Sequence, residues 1–168
     1  MATDNRFKII IWLALACILL DQLSKIAVLK YIPYHSSITI IPGFFDLVHV
    51  LNRGAAFGFL NRSDINWQFW LFLVATLLAC WIIILTTSKT VYNKWLFTGF
   101  GLILGGAAGN LIDRVRFRAV VDFIDLYIGS GHWPAFNIAD MAICLGAVLS
   151  GITIWRMAKF TADQKEQI

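Results

Sequence analysis

Four apolar stretches, each about as long as a helix needs to cross a bilayer, constrain this chain more than any other feature of its sequence. They run over 9–29, 67–85, 95–112 and 138–155. At about 1.5 Å of rise per residue, roughly 20 apolar residues span the ~30 Å of hydrocarbon. Composition points the same way: 59% of residues are hydrophobic and 14% charged, whereas an average soluble domain is about a quarter charged. Trp or Lys/Arg stands near the ends of each stretch, where an amphipathic ring or a long cationic stem keeps its polar tip wet. The expected fold class is an all-α membrane protein with four transmembrane helices. It forms a single integral membrane domain over 1–168, with longer loops at about 30–66 and 113–137.

The formal net charge of +4 does not point to nucleic acid, because the basic residues alternate with apolar spans and form no long run. Their use is orientation. Arg6, Lys8, Lys89, Lys94, Arg156, Lys159 and Lys165 fall in the N-terminus, the short middle loop and the C-terminal tail. Lys30, Arg53, Arg62, Arg114, Arg116 and Arg118 are spread over the two longer loops, which have about twice the length. Density of positive charge therefore places both termini in the cytoplasm. Cys17, Cys80 and Cys144 all lie inside spans and read as small apolar residues rather than disulfide partners or metal ligands. Ala14 to Cys17 superficially resembles a lipoprotein cleavage site, but the apolar run continues to Leu20, so the first stretch reads as a retained helix.

Alternate crossings put both longer loops, and the helix ends beside them, on one face. Asp21, Lys25, Asn52, Asn110, Asp113, Arg114, Asp122, Asn137 and Asp140 gather there. Between the first two spans, Ser37 to Ile41 and Phe45 to Leu51 are rich in β-branched and aromatic residues and are separated by Pro42 and Gly43. They predict a small β-rich, hairpin-like platform at the extracytoplasmic surface. Asn52, Arg53 and Gly54 end the strand pattern, and Ala55, Ala56 and Phe57 turn the chain back toward the bilayer. In the third span Gly101, Gly105 and Gly109 form a four-residue stripe, answered in the fourth by Ala142, Gly146 and Ser150. Small residues let backbones approach closely in lipid, so these two helices are expected to pack tightly.

Each polar group has a structural reading beside a functional one. Asp21 and Lys25 are four apart with the acid first, the favourable order for a helical ion pair. Asn110 and Asp113 share a helix face, and Asp113 has a possible role in orienting Arg114. Asn137 stands where a helix N-cap belongs, three residues before Asp140. Asp122 sits among Val120, Val121, Phe123 and Ile124, where desolvation raises a carboxyl pKa; Asp140 opens a helix, whose dipole favours the anion. Two carboxyls pushed in opposite directions are candidates for sharing a proton, although a purely structural pair fits the same residues. Asp125, three residues after Asp122, is an equal rival on this reasoning. His35, His49 and His132 have no metal-ligand spacing, and neither a nucleophile elbow nor a phosphate loop is present.

Taken in order, these segments resemble the lipoprotein signal peptidase (signal peptidase II) family over nearly the whole chain. The resemblance rests on Asp21-Gln22-Leu23-Ser24-Lys25, Asn52-Arg53-Gly54-Ala55-Ala56-Phe57, and Gly105 through Arg114. Val120-Val121-Asp122-Phe123 and Phe136-Asn137-Ile138-Ala139-Asp140 complete it. It implies that Asp122 and Asp140 are a catalytic aspartyl pair, which selects Asp122 over Asp125. Asn52, Gly54, Asn110, Asp113, Arg114 and Asn137 then hold substrate or support the pair, with Asp21 and Lys25 as structural supports. It also implies removal of the signal peptide from diacylglyceryl-modified bacterial prolipoproteins in the cytoplasmic (inner) membrane. The partners it implies are that substrate and membrane lipid, with no metal or other cofactor, no nucleic acid and no obligatory protein partner. The platform from about Tyr31 to Asn66 would be a lid or cradle for the substrate. Two other classes use intramembrane carboxylates or glycine stripes: a proton-coupled transporter component and a noncatalytic assembly factor.

Overall fold

The structure, a computed structural model, describes residues 2–54 and 67–166. Helix α1 (Ala2–Tyr31) leads into a hairpin of β1 (Ser37–Ile41) and β2 (Phe45–Asn52). Helices α2 (Trp67–Lys89) and α3 (Lys94–Phe117) follow, then β3 (Val120–Ile128), β4 (Gly131–His132) and α4 (Ile138–Glu166). Among the described residues, four helices are long and apolar enough to cross a membrane, as the sequence predicts. All four run past the predicted apolar spans. Their extra turns carry polar residues such as Arg6, Lys89, Arg116 and Lys159, which a helix can extend into the headgroup layer without leaving its own hydrogen bonds.

α3 is the central helix, and glycine decides which neighbours reach it. A Cβ on Gly101 would meet Leu13 Cβ at 2.9 Å, and one on Gly105 would meet Cys17 Cβ at 2.7 Å. The stripe Gly101, Gly105 and Gly109 therefore seats α1, not α4. The α4 contact uses a second face: Gly106 has no room for a Cβ beside the Ala139 carbonyl, and Gly99 lies against Gly146 and Ser150. α3 and α4 approach closely, as the sequence predicts, but the four-residue glycine stripe belongs chiefly to the α1–α3 pair. Because adjacent glycines point about 100° apart around a helix, Gly105 and Gly106 serve two partners at one level.

At the end away from the sheet, Ile10, Ile83, Leu96, Phe97 and Phe100 form a buried cluster, with Met157 packed against it, so all four helices meet there. Arg6 closes this end by donating from Nη1 to the Thr90 carbonyl at 2.9 Å, a cation at the C-terminus of α2. α2 otherwise buries few residues, among them Gln68, Ile83 and Thr87, and turns most of its surface outward.

The predicted β-platform is one half of a larger sheet. Its turn follows from Ile41-Pro42-Gly43-Phe44: the Phe44 N–H donates to the Ile41 carbonyl at 3.0 Å, and Gly43 has φ +79°, which suits glycine at the third position of a type II turn after proline. β2 then pairs antiparallel with β3, from the loop between α3 and α4, giving the order β1-β2-β3-β4. Val50 faces Asp122 and Asn52 faces Val120 across that pairing. The sequence predicts a loop over 113–137; instead α3 runs on to Phe117 and Val120–Ile128 forms β3. Its first residues, Val120 to Phe123, are buried because the sheet sits on the end of α1, where Val28, Ile32, Val121 and Phe123 form a second cluster. The predicted return of Ala55, Ala56 and Phe57 toward the bilayer lies outside the described residues.

Candidate active site

The end of the helix bundle that carries the sheet also carries the polar residues. Asn137 is the N-cap of α4 and forms a reciprocal cap with Asp140. Its Oδ1 accepts from the Asp140 N–H at 3.0 Å, while Asp140 Oδ2 accepts from the Asn137 N–H at 3.2 Å, a capping-box arrangement with Asp in the usual Glu position. The cap reading of Asn137 is therefore met. The same amide does a second job: its Nδ2 donates to Asp122 Oδ1 at 2.7 Å. One residue thus fixes both carboxyl groups, Asp122 through its side-chain amide and Asp140 through its backbone N–H.

Each remaining carboxyl oxygen has a donor of its own. Asn52 Nδ2 donates to Asp122 Oδ2 at 3.0 Å, and Asn110 Nδ2 donates to Asp140 Oδ1 at 2.8 Å. Asp122 is 2% exposed. Burial is the largest reason its carboxyl is pushed up from 3.8 to about 7; the nearby Asp140 charge adds to this, while the Asn52 and Asn137 hydrogen bonds and the Lys25 charge pull the other way. An acid held there keeps its proton near neutrality, which an unperturbed aspartate does not.

Asp122 and Asp140 open onto one cavity of about 410 Å³. Asn52, Gly54, Asn110 and Arg114 line it too, with Val120, Phe136, Met141 and Ile143 as apolar wall. Arg114 reaches Gly54 by donating from Nη2 to its carbonyl at 3.2 Å and lies 3.8 Å over the Phe72 ring. It ties α3 to the end of the platform and to α2 at once.

Asp21, Lys25, Asp113 and Asn137 stand behind the cavity wall. Lys25 Nζ meets Asp21 Oδ2 at 2.9 Å and Asp113 Oδ2 at 2.8 Å, so the predicted i,i+4 pair supplies two members of a three-membered cluster. Asp21 also accepts from the Ala139 N–H at 3.0 Å, pinning the first turn of α4 to α1. Asp113 accepts from the Val121 N–H at 3.1 Å and from Gln22 Nε2 at 3.0 Å. This corrects the expectation that Asp113 orients Arg114: its carboxylate is spent on Lys25, Gln22 and the residue before Asp122. Gln22 stands within the first motif, but a neutral amide beside Asp21 carries no signal of its own that it holds Asp113.

Asp125 lies apart from this site. It pairs with His132 Nδ1 at 2.9 Å near the β3–β4 turn, with the His side chain 53% exposed. Three residues apart along a strand puts two side chains on opposite faces. Recognising Val120 to Ile128 as a strand would have separated the rivals without any family resemblance. His35 and His49 serve the platform, His49 Nδ1 lying 2.8 Å from the Ile32 carbonyl oxygen. No cluster of three or more His, Cys, Asp or Glu suited to a metal occurs among the described residues.

Known proteins resemble this chain over most of its length. A family model described as "Signal peptidase (SPase) II" matches residues 13–156. A lipoprotein signal peptidase of Nitratidesulfovibrio vulgaris is 54% identical over 161 residues, covering 96% of this chain and 98% of its own. One of Oleidesulfovibrio alaskensis is 56% identical over 151 residues, covering 90% and 97%. A solved structure titled as a bacterial membrane enzyme superposes with a TM-score of 0.77 at 31% identity, covering 88% of this chain and 87% of that one.

Proposed function

Since this chain belongs to the signal peptidase II family, whose model it matches over residues 13–156, we propose that it is an intramembrane aspartic endopeptidase. It removes the signal peptide from diacylglyceryl-modified bacterial prolipoproteins, cutting on the N-terminal side of the lipidated cysteine. The observation that carries the aspartic reading is the pair Asp122 and Asp140, both bound by Asn137 and both opening onto one apolar-walled cavity.

The chemistry is general acid–base hydrolysis by a pair that holds one proton and titrates as a unit. The ionised carboxylate takes a proton from water as the water oxygen attacks the scissile carbonyl carbon. The protonated partner donates to the carbonyl oxygen, giving a tetrahedral intermediate. Collapse breaks the carbon–nitrogen bond, and a proton passes to the departing cysteine amine. Products are the signal-peptide carboxylate and the lipidated cysteine amine. Asn52, Asn110 and Asn137 keep the four carboxyl oxygens oriented through this exchange, and Arg114 with Gly54 holds substrate backbone at the cavity. A cavity rimmed by Met141 and Ile143 accepts an apolar signal helix and its lipid without drawing either out of the membrane. The platform, with its last described residue Gly54 tethered to Arg114, serves as the cradle. The site lies at the extracytoplasmic face of the bacterial cytoplasmic membrane, with both termini in the cytoplasm.

The transporter reading needs polar residues through the membrane depth. Here the buried acids Asp21, Asp113 and Asp122 and the half-buried Asp140 all join one network at the sheet end. The test is cleavage of a diacylglyceryl-modified prolipoprotein by purified protein, beside folded Asp122→Asn and Asp140→Asn. Both variants are expected to lose cleavage, and retention in both removes the dyad proposal. Equal cleavage of the unlipidated precursor would remove the substrate assignment.

A further inference from the structure

We propose that Lys25 is a positioning residue for this site, setting the polarity of Asn110 so that the amide presents its NH2 to Asp140. The proposal rests on the reading of Asp140 as one of the catalytic pair. A primary amide is nearly symmetric in shape, with an acceptor at one end and two donors at the other. Turned one way Asn110 supports the Asp140 carboxylate; turned the other way its oxygen repels it. Shape alone does not choose.

The choice is made from behind. An ammonium group only donates, and the three acceptors around Lys25 Nζ match its three N–H bonds: Asp21 Oδ2 at 2.9 Å, Asp113 Oδ2 at 2.8 Å and Asn110 Oδ1 at 3.0 Å. Lys25 is 1% exposed, so water does not compete for those bonds. Asn137 Nδ2 adds a weaker donor to the same oxygen at 3.2 Å. With its oxygen held on this side, Asn110 turns Nδ2 to Asp140 Oδ1.

The other two asparagines follow the same rule with backbone in place of lysine. Asn52 Oδ1 accepts from the Gly54 N–H at 2.9 Å and Asn137 Oδ1 from the Asp140 N–H, leaving each NH2 for Asp122. Asn110 has its oxygen held by an ionisable side chain, Lys25. The groups facing Asp140 are Asn110 and Arg114 from α3, Asp122 from β3, and Lys25 with Asp21 from α1. One lysine between two aspartates leaves that cluster with a formal charge of −1; the Lys25 charge also reaches the acid pair, so direction and charge are two separate contributions.

A charge-balancing role is the competing explanation, and a charge-matched comparison separates the two. The wild type and Lys25→Met/Asp113→Asn both carry a cluster charge of −1, but only the wild type puts an ammonium on Asn110; Asp113→Asn alone, at charge 0, measures what losing Asp113 costs by itself. With the diacylglyceryl-modified substrate, kcat of the double variant is expected to fall at least about tenfold below those of both the wild type and Asp113→Asn, the scale of losing one hydrogen bond to a charged group, while KM stays within about twofold. A double-variant kcat equal to that of the wild type or of Asp113→Asn overturns the proposal. An independent reading uses the wild-type protein labelled with 15N-asparagine. Asp140→Asn is expected to shift the Asn110 side-chain NH2 resonance, and an unmoved resonance overturns the proposal even where the double variant does not fold. Failure of the enzymatic reading is distinct, since the wild type would then cleave nothing.

Discussion

At the scale of single residues, Asn137 joins a structural task to a chemical one, and the two are separable. Asn137→Ser keeps a good N-cap but strips a buried donor from Asn110 Oδ1, the Val121 carbonyl and Asp122, so stability is expected to fall by roughly 1–3 kcal/mol. The Nδ2 donor to Asp122 is lost, and cleavage is expected to drop at least about tenfold. Melting in detergent and turnover on the same sample check this; a large fall in stability with normal specific activity contradicts it. Asp122 gives a second residue-scale prediction. Its folded carboxyl titrates at about 7 against 3.8 ordinarily, so between those values the folded protein binds more protons than the unfolded one. Stability contributed by this group therefore declines as pH rises from about 4 to 7. That part of the slope in melting temperature against pH should vanish in Asp122→Asn. Turnover that needs the shared proton should fall as pH rises through about 7.

Between elements, packing of α3 decides where the acids stand. The Gly106 face touches the Ala139 carbonyl, one residue before Asp140, so Gly106→Ala pushes directly on the first turn of α4. Gly105→Ala instead meets Ala14 and Cys17 on α1. Each is expected to cost roughly 1–3 kcal/mol of stability, but Gly106→Ala should lose far more activity per unit of stability lost. Equal loss in the two variants would show that α4 placement is not limiting. The sequence made the helices legible because roughly 20 apolar residues have one stable use in lipid, and the hairpin legible because Pro42 and Gly43 dictate its turn. β3 was not legible as a partner of β2. Its alternation is masked because Val120, Val121, Asp122 and Phe123 are all buried, and a strand covered on both faces loses its period of two. The choice of helix face for Gly101 and Gly105 was hidden for a related reason, since small residues occur on two sides of α3. Of the site, the residue types were visible from their cost in a membrane, but the donor that serves each oxygen depends on three asparagines brought together only by the fold.

Over the whole molecule, the four crossings put the Arg6 end of α1 beside the α2–α3 connection and the sheet at the far end. Orientation is testable in intact cells with a cysteine-free background and an impermeant thiol reagent. Thr39→Cys, on the sheet, is expected to label from outside, and Val91→Cys, in the α2–α3 connection, only after permeabilisation. The reverse pattern would invert the topology. The pairing of β2 with β3 also bears on how the protein is made. Asp122 takes one donor from Asn52, synthesised before three of the four crossings are complete, and another from Asn137, which emerges with the last of them. Strand pairing across such a sequence distance cannot begin until α2 and α3 are in the bilayer. A nascent chain therefore passes through most of its insertion without a competent pair of acids. On the reading of Asp122 and Asp140 as the catalytic pair, peptide-cutting ability arrives only with the final helix.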